Sequence, residues 1–218
     1  MSLKMPPAKR KPSVVYWLPN ANARGYSLYL NITNRCPNNC YFCFKKFKNG
    51  IQEFNLKLRG EPSSNEVIKE LQNVISRKNW SEVVFCGFGE PLERLNCVLE
   101  VAGWIKRYYG KVARVDTNGQ GYLLNNGKDV VKELKKAGVQ KVSVSLNAHD
   151  KETYNKVCKP VFENAFENVL EFIEKAKEDL ETEITAVAIP EVDISKVREI
   201  AKRIEVAFRV REYIPCFW

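Results

Sequence analysis

Short β-branched runs alternate with longer amphipathic stretches along most of this chain. The candidate strands are Leu28 to Thr33, Val83 to Cys86, Val112 to Thr117, Val142 to Asn147, Ile184 to Ile189 and Ala207 to Arg211. Between them, apolar residues recur at helical spacing. Val67, Ile68, Leu71, Val74 and Ile75 share one face, behind a Ser63/Ser64 cap with Asn65 and Glu66 in the opening turn. Similar stripes run through Val98, Val101, Ala102 and Ile105; through Val130, Val131 and Leu134; through Ala165, Phe166, Val169, Leu170 and Ile173; and through Ile194, Val197, Ala201 and Ile204. Gly110 and Gly138 read as helix stops.

Six such βα repeats with right-handed crossovers give an α/β fold, either a doubly wound open sheet or a partial (β/α)6 TIM-type barrel. The polarity of the strands favours the barrel. Val142, Val144 and Leu146 alternate with Ser143, Ser145 and Asn147, and Arg114, Asp116 and Asn118 share one face of another strand. A parallel sheet covered by helices normally has two apolar faces, because unpartnered buried polar groups are costly. Polar residues at the strand ends therefore predict a polar ligand inside.

A length of 218 residues suits one well-buried domain, expected over residues 25 to 218. Residues 1 to 20 lack the apolar core of a signal peptide and read as a basic, Pro-containing, disordered leader. No run is long and apolar enough to span a membrane, and seven thiols suit a reducing compartment, so the expected location is cytoplasmic. The net charge of +9 is an N-terminal property, since residues 1 to 59 hold eleven Lys and Arg against one acid. Lys45, Lys46 and Lys48 offer positive potential to an acidic substrate, an acidic electron donor or nucleic-acid phosphates, against the alternative of a solvated loop.

The candidate chemistry lies in Thr33-Asn34-Arg35-Cys36-Pro37-Asn38-Asn39-Cys40-Tyr41-Phe42-Cys43, which sets three thiols at C-x3-C-x2-C spacing behind a strand. Such a loop can wrap one corner of a cuboidal 4Fe-4S cluster, with Cys36, Cys40 and Cys43 each ligating an iron and a fourth iron left open. Structural zinc normally takes four ligands, often as two C-x2-C pairs, whereas here there is one pair and a single histidine, His149, far along the chain. A disulfide framework belongs to small secreted chains with even cysteine counts. Three buried packing cysteines fit poorly with a polar Asn/Pro loop.

This stretch resembles the signature of the radical S-adenosylmethionine (SAM) superfamily, with Phe42 at its aromatic position. The resemblance covers nearly the whole chain from about residue 25 and implies a six-stranded partial barrel holding a 4Fe-4S cluster and SAM. Cys86-Gly87-Phe88-Gly89-Glu90-Pro91 resembles the family's GGEP motif, with Phe88 replacing the first glycine of the pair. By that resemblance Gly89 and Glu90 receive the SAM ammonium group; Glu90 could equally be an ordinary acid at a helix start. Asn118, Ser145 and Asn147 stand where the family holds the ribose and carboxylate of SAM, or are turn residues. Ala188-Ile189-Pro190 would pack on adenine. Asp116 and Arg211 are candidate substrate contacts, with internal salt bridging as the alternative for Arg211. Cys158 could relay a hydrogen atom, or simply pack.

The implied reaction is reductive cleavage of SAM to methionine and a 5'-deoxyadenosyl radical, fed by a flavodoxin- or ferredoxin-like electron donor. The chain most resembles the small single-domain radical SAM proteins associated with TatD-type nucleases, and more distantly the activases of glycyl radical enzymes. The substrate stays open: a small or nucleotide-like molecule, a protein or an RNA. A non-catalytic iron-sulfur carrier or sensor is the remaining alternative.

Overall fold

A computed structural model describes residues 11–20, 25–77 and 79–213 of the protein. In chain order the strands are β1 (Val15–Pro19), β2 (Tyr26–Leu30), β3 (Gly50–Ile51), β4 (Phe54–Asn55), β5 (Trp80–Phe85), β6 (Val112–Thr117), β7 (Val139–Ser145), β8 (Glu181–Ala188) and β9 (Ala207–Glu212). The helices are α1 (Ser64–Ile75), α2 (Leu95–Tyr109), α3 (Gly121–Leu124), α4 (Val130–Ala137), α5 (Lys151–Cys158), α6 (Ala165–Asp179) and α7 (Ile194–Ile204). The main sheet has the order β1-β2-β5-β6-β7-β8-β9, so neighbours in space follow the chain. Within this sheet every pairing from β2 to β9 is parallel, and β3 and β4 form a separate antiparallel pair.

The sheet curls into a half-barrel. Its curl brings β9 back toward the first parallel strands: the charge of Arg211 on β9 acts on Asp116 of β6 and on Cys86 at the end of β5. Helices cover the convex side, and their apolar stripes are the ones that the 3.6-residue period predicts. Val67, Leu71 and Ile75 of α1, and Val98, Val101, Ala102 and Ile105 of α2, are buried in one continuous core. Ser63 and Glu66 form a reciprocal capping box at the start of α1. Gly110 and Gly138 end α2 and α4 in the left-handed conformation, at φ of 59° and 102°.

Several expectations need correction. The expected leader of residues 1 to 20 contains β1, which pairs antiparallel with β2 from Val15 opposite Leu30 to Pro19 opposite Tyr26. The reason is apolar content: Val15 and Tyr16 are buried, Tyr16 at 2% exposure. Residues 1 to 10 lie outside the described residues. The strand expected at Leu28 to Thr33 stops at Leu30, because Asn31, Thr33 and Asn34 turn their side chains to bonds described below. Helix α5 was not expected from periodicity, since only Tyr154, Val157 and Cys158 of its eight residues are buried. Asp150 caps it, accepting from the Thr153 amide at 2.8 Å. Among the described residues no helix is long and apolar enough to cross a membrane.

Leu71 is fully buried between α1 and the sheet. Leu71→Ala should lower the unfolding free energy by about 2–5 kcal/mol. The check is a lower denaturant midpoint at an unchanged slope.

Candidate functional site

The segment from Asn31 to Cys43 leaves the end of β2 and is held by hydrogen bonds over nearly its whole length. Asn31 is fully buried; its amide donates to the Ser13 and Leu56 carbonyls at 3.0 and 2.7 Å, and its oxygen accepts from the Phe88 amide at 2.9 Å. Asn34 makes a reciprocal pair with the Leu58 backbone, at 2.8 and 3.1 Å. Thr33 Oγ1 donates to Glu61 at 2.6 Å, and Arg35 bridges Glu61 and Glu93. The Glu90 amide donates to the Arg35 carbonyl at 2.8 Å. That approach requires glycine at 89, because a Cβ there would lie 2.3 Å from the Arg35 oxygen. Gly87 is in the same position, with a Cβ falling 2.2 Å from Asn31 Oδ1. The two glycines of the Gly-Phe-Gly-Glu-Pro motif thus seat the cysteine segment against the end of β5.

The far side of the loop is stitched to the end of α5. The Asn39 amide donates to the Cys158 and Lys159 carbonyls at 3.0 and 3.2 Å, Tyr41 to Val157 at 3.3 Å, and Val161 to Pro37 at 2.9 Å. Beneath them is a buried trio. Gln120 Nε2 donates to Asn38 Oδ1 at 2.6 Å and to Tyr154 Oη at 3.0 Å, and Asn38 Nδ2 donates to Tyr154 Oη at 3.1 Å. Tyr41 Oη reaches Glu191 at 2.5 Å, tying the loop to the β8–α7 connection.

Cys36, Cys40 and Cys43 are free thiols of intermediate exposure. Each has a backbone amide directed at its sulfur: that of Asn38 for Cys36, its own for Cys40 and that of Lys45 for Cys43. Burial pushes the Cys36 thiol up to about 12, with the Glu90 charge adding to it, and burial raises Cys43 as well. Cys40 moves the other way, because the buried Cys158 thiol donates a hydrogen bond to its sulfur. Among the described residues no three His, Cys, Asp or Glu side chains converge around a point for one metal ion. What the loop offers is a rim of three sulfurs with amide donors, and that donor set suits an iron-sulfur core, whose potential depends on hydrogen bonds to its sulfurs.

The residues expected at the strand ends fall into two groups. Glu90 is 3% exposed; its carboxylate accepts from Thr117 Oγ1 at 2.8 Å, from the Asn118 amide at 2.7 Å and from the Leu92 amide at 3.0 Å. It caps the short 3-10 turn Pro91–Arg94 and ties the end of β5 to that of β6, while a carboxylate has room for about four donors. Asn118 Nδ2 lies 3.8 Å from Cys36 Sγ, so Cys36, Glu90 and Asn118 come together. Ser145 Oγ faces Thr185 Oγ1 at 3.5 Å, and Asn147, at φ 55°, accepts from the Val187 amide at 3.1 Å. These two link β7 to β8. Phe42 packs on Tyr41 edge to face at 5.6 Å and against the main core. Ile189 is buried in that core, and Cys216 lies outside the described residues.

Below these ends the concave face is charged. Arg114 pairs with Asp116 at 2.9 Å and with Glu82 at 3.3 Å, and Arg209 pairs with Glu183 at 2.8 Å. Asp116 is therefore spoken for by Arg114, and burial raises its pKa against that attraction. Arg211 is exposed on the same face of β9 and makes no ion pair among the described residues, so the salt bridging weighed for it is not observed there.

Phe88, which departs from the expected motif, is buried in a second apolar cluster with Tyr16, Phe54 and Leu56 and meets Phe44 edge to face at 5.8 Å. It joins the chain just after Cys43 to β1 and β4. Sequence reasoning missed Asn31, Asn34, Asn38, Gln120 and Tyr154. The density of asparagines around the cysteines was the available signal.

The model of the Radical SAM superfamily matches residues 30–204. A probable GTP 3',8-cyclase of Methanocaldococcus jannaschii is 27% identical over 195 residues, covering 87% of this chain and 59% of that protein. One from Thermococcus kodakarensis is 32% identical over 150 residues, covering 69% of this chain and 43% of that protein. The chain thus spans well under two thirds of the length of either relative. Among solved structures, Streptococcus suis SuiB bound to S-adenosylmethionine superposes with a TM-score of 0.66 at 16% identity, over 87% of this chain and 40% of that one. Methylornithine synthase (PylB) superposes with a TM-score of 0.61 at 19% identity, over 87% of this chain and 53% of that one. At such identities these structures speak to the fold.

Glu90 gives a pH test. Burial raises its pKa from 4.5 to about 7, so between those values the folded state holds a proton that the unfolded chain releases. Its contribution to stability is then full below pH 4.5 and lost as pH rises to about 7. The stability difference between wild type and Glu90→Gln should fall across that window in denaturant titrations at stepped pH.

Proposed function

We propose that the chain, which belongs to the radical SAM superfamily and is a radical SAM enzyme, uses Cys36, Cys40 and Cys43 to hold a 4Fe-4S cluster and cleaves SAM beside it. The observation that carries this reading is the meeting of Cys36 with the Asn118 amide at 3.8 Å, beside the buried Glu90 carboxylate. A cluster held there would supply the single electron for cleavage of SAM to methionine and a 5'-deoxyadenosyl radical.

The chain's own residues bind and orient. Glu90 keeps capacity for one further donor and would take the SAM ammonium group, with Gly89 leaving its backbone edge open. Asn118, Ser145 and Asn147, at the C-terminal ends of β6 and β7, would meet the ribose and carboxylate. Strand ends of this kind are where barrel enzymes gather ligand groups. Phe42 would pack beside the cofactor from within the cysteine loop. The trio Asn38, Gln120 and Tyr154 is a positioning device, since its three hydrogen bonds fix the backbone between Cys36 and Cys40, and Gln120 Oε1 is left without a partner among the described residues.

For the substrate we favour a small anionic, nucleotide-like molecule. Two things support it: the relatives named as GTP 3',8-cyclases, and Arg211, an exposed guanidinium on the concave face that forms no ion pair among the described residues although its charge acts on Asp116. Guanidinium suits phosphate and carboxylate. Asp116, paired with Arg114, would shape that face rather than contact substrate by itself. A protein or RNA substrate would show itself by turnover with the macromolecule where GTP gives none.

Anaerobic reconstitution tests the reading. Wild type should bind about four irons per chain, with an EPR signal that SAM alters, and should form 5'-deoxyadenosine from SAM with dithionite. The Cys36→Ala/Cys40→Ala/Cys43→Ala variant should bind almost none. A colourless or zinc-bearing wild type would overturn the assignment, and a brown one whose spectrum ignores SAM would favour an electron carrier. Arg211→Ala should weaken GTP binding roughly tenfold while SAM cleavage without substrate stays at the wild-type rate.

A further inference from the structure

Cys158 is fully buried at the last position of α5, and its thiol donates a hydrogen bond to the sulfur of Cys40. The backbone brings the two together. Asn38 bridges Pro160 in antiparallel register, with the Asn39 amide donating to the Lys159 carbonyl at 3.2 Å and the Val161 amide to the Pro37 carbonyl at 2.9 Å. The Tyr41 amide then donates to the Val157 carbonyl at 3.3 Å, so the same register runs on past Cys40 and sets it opposite Cys158. These bonds flank the pair and do not join it. In an antiparallel ladder that is the position where side chains come closest, with Cα atoms about 4.5 Å apart. A disulfide spans about 4.4–6.8 Å between Cα atoms, so the ladder supplies the spacing that a bond between the two sulfurs needs.

Both sides of the pair are anchored. Tyr154, one turn before Cys158 on α5, accepts from Asn38 and Gln120 at 3.1 and 3.0 Å, and the Asn39 amide also donates to the Cys158 carbonyl at 3.0 Å. The two thiols differ in access, since Cys40 is partly exposed and Cys158 is not exposed at all. An oxidant therefore meets Cys40 first, with Cys158 behind it, which is the layout of an attacking and a resolving cysteine. We propose that Cys40 and Cys158 are a redox pair that closes into a disulfide when Cys40 holds no iron, so that this sulfur becomes available to a cluster only after a dithiol has reduced it. The iron half of that statement rests on the function proposed above, and the disulfide half does not.

With a small-molecule disulfide as oxidant, the Cys40 sulfur gives up its proton and attacks, breaking the small S–S bond and releasing one thiol. Cys158 then gives up its proton and attacks the Cys40 sulfur of the mixed disulfide, releasing the second thiol as the Cys40–Cys158 bond forms. The cysteine pair loses two electrons, the small disulfide gains them, and both protons leave on its thiols. Closure also keeps Cys40 from the irreversible sulfinic and sulfonic steps of thiol oxidation.

The test maps thiols. Apo protein, reduced and freed of reductant, is incubated anaerobically with oxidised glutathione, alkylated, digested and analysed by mass spectrometry. Wild type should lose a pair of titratable thiols and yield a Cys40–Cys158 linked peptide that dithiothreitol abolishes, with Cys36 and Cys43 alkylated. Cys158→Ala should instead carry glutathione on Cys40. A predominant Cys36–Cys40 or Cys40–Cys43 linkage in wild type would overturn the proposal. So would a stable glutathione adduct on Cys40 beside a free Cys158, or thiols that all stay free; each is read on wild type, whatever the folding of the variant. Iron-loaded wild type should keep Cys40 and Cys158 unlinked until a chelator strips the iron, and linkage with the iron fully retained would overturn the gate. Failure of the reduced protein to take up iron would count against the proposed function alone, because the thiol map needs no cluster.

Discussion

The hydrogen bond from the Glu90 amide to the Arg35 carbonyl, 2.8 Å long, is the contact on which the candidate site depends. It draws the cysteine segment onto the end of β5, and it can form only where residue 89 carries no side chain. From that contact the rest follows by connection. Arg35 is next to Cys36; Glu90 holds the Asn118 backbone; Asn118 reaches back to Cys36. A closed circuit of contacts therefore links the first thiol to two strand ends. The second half of the loop has an equivalent tie in the Asn38, Gln120 and Tyr154 trio and the carbonyls of α5. In the trio the restraint comes from the side-chain amide donors of Gln120 and Asn38, since Gln120 Oε1 has no hydrogen-bond partner among the described residues.

The two apolar clusters divide the labour differently. The larger one closes the helices onto the convex side of the sheet and would do so in any chain with these stripes. The smaller one, around Phe88, is local to the site: it packs the motif position that departs from the family pattern against Phe44, one residue past Cys43. A glycine there would remove the ring that meets Phe44. The departure is thus part of how this chain supports its loop with a small hairpin and an edge strand, and Gly89 keeps the approach of the backbone unchanged.

Electrostatics sort the interior from the rim. On the concave face charges are matched: Glu82, Arg114 and Asp116 form one chain of ion pairs, and Glu183 with Arg209 another. Pairing is what makes half-buried charges tolerable, since a lone one would bear its desolvation cost uncompensated. Arg211 at the edge, Lys45, Lys46 and Lys48 just past Cys43, and Lys156 and Lys159 at the end of α5 stand outside that pattern. None of these cations forms an ion pair among the described residues, although Arg211 still acts on Asp116 and Lys156 on Glu191.

Much of this was legible in the chain itself. The helical stripes, the capping box at Ser63 and Glu66, the glycine stops at 110 and 138 and the parallel order of the βα repeats follow from local periodicity and backbone preference. So does the grouping of Cys36, Cys40 and Cys43, whose spacing confines them to one short loop. Other features depended on contacts between distant residues, which composition and period do not encode. The pairing of β1 with β2, the seating of Gly87 and Gly89 against Asn31 and Arg35, and the contact of Cys158 with Cys40 are of that kind. Glu90 and Asp116 illustrate the limit most directly: the sequence marks both as polar groups at strand ends. Only the curled sheet decides that one is bound by three neighbouring donors and the other by an arginine on its own strand, because a side chain's partners are set by which backbones the fold brings within reach.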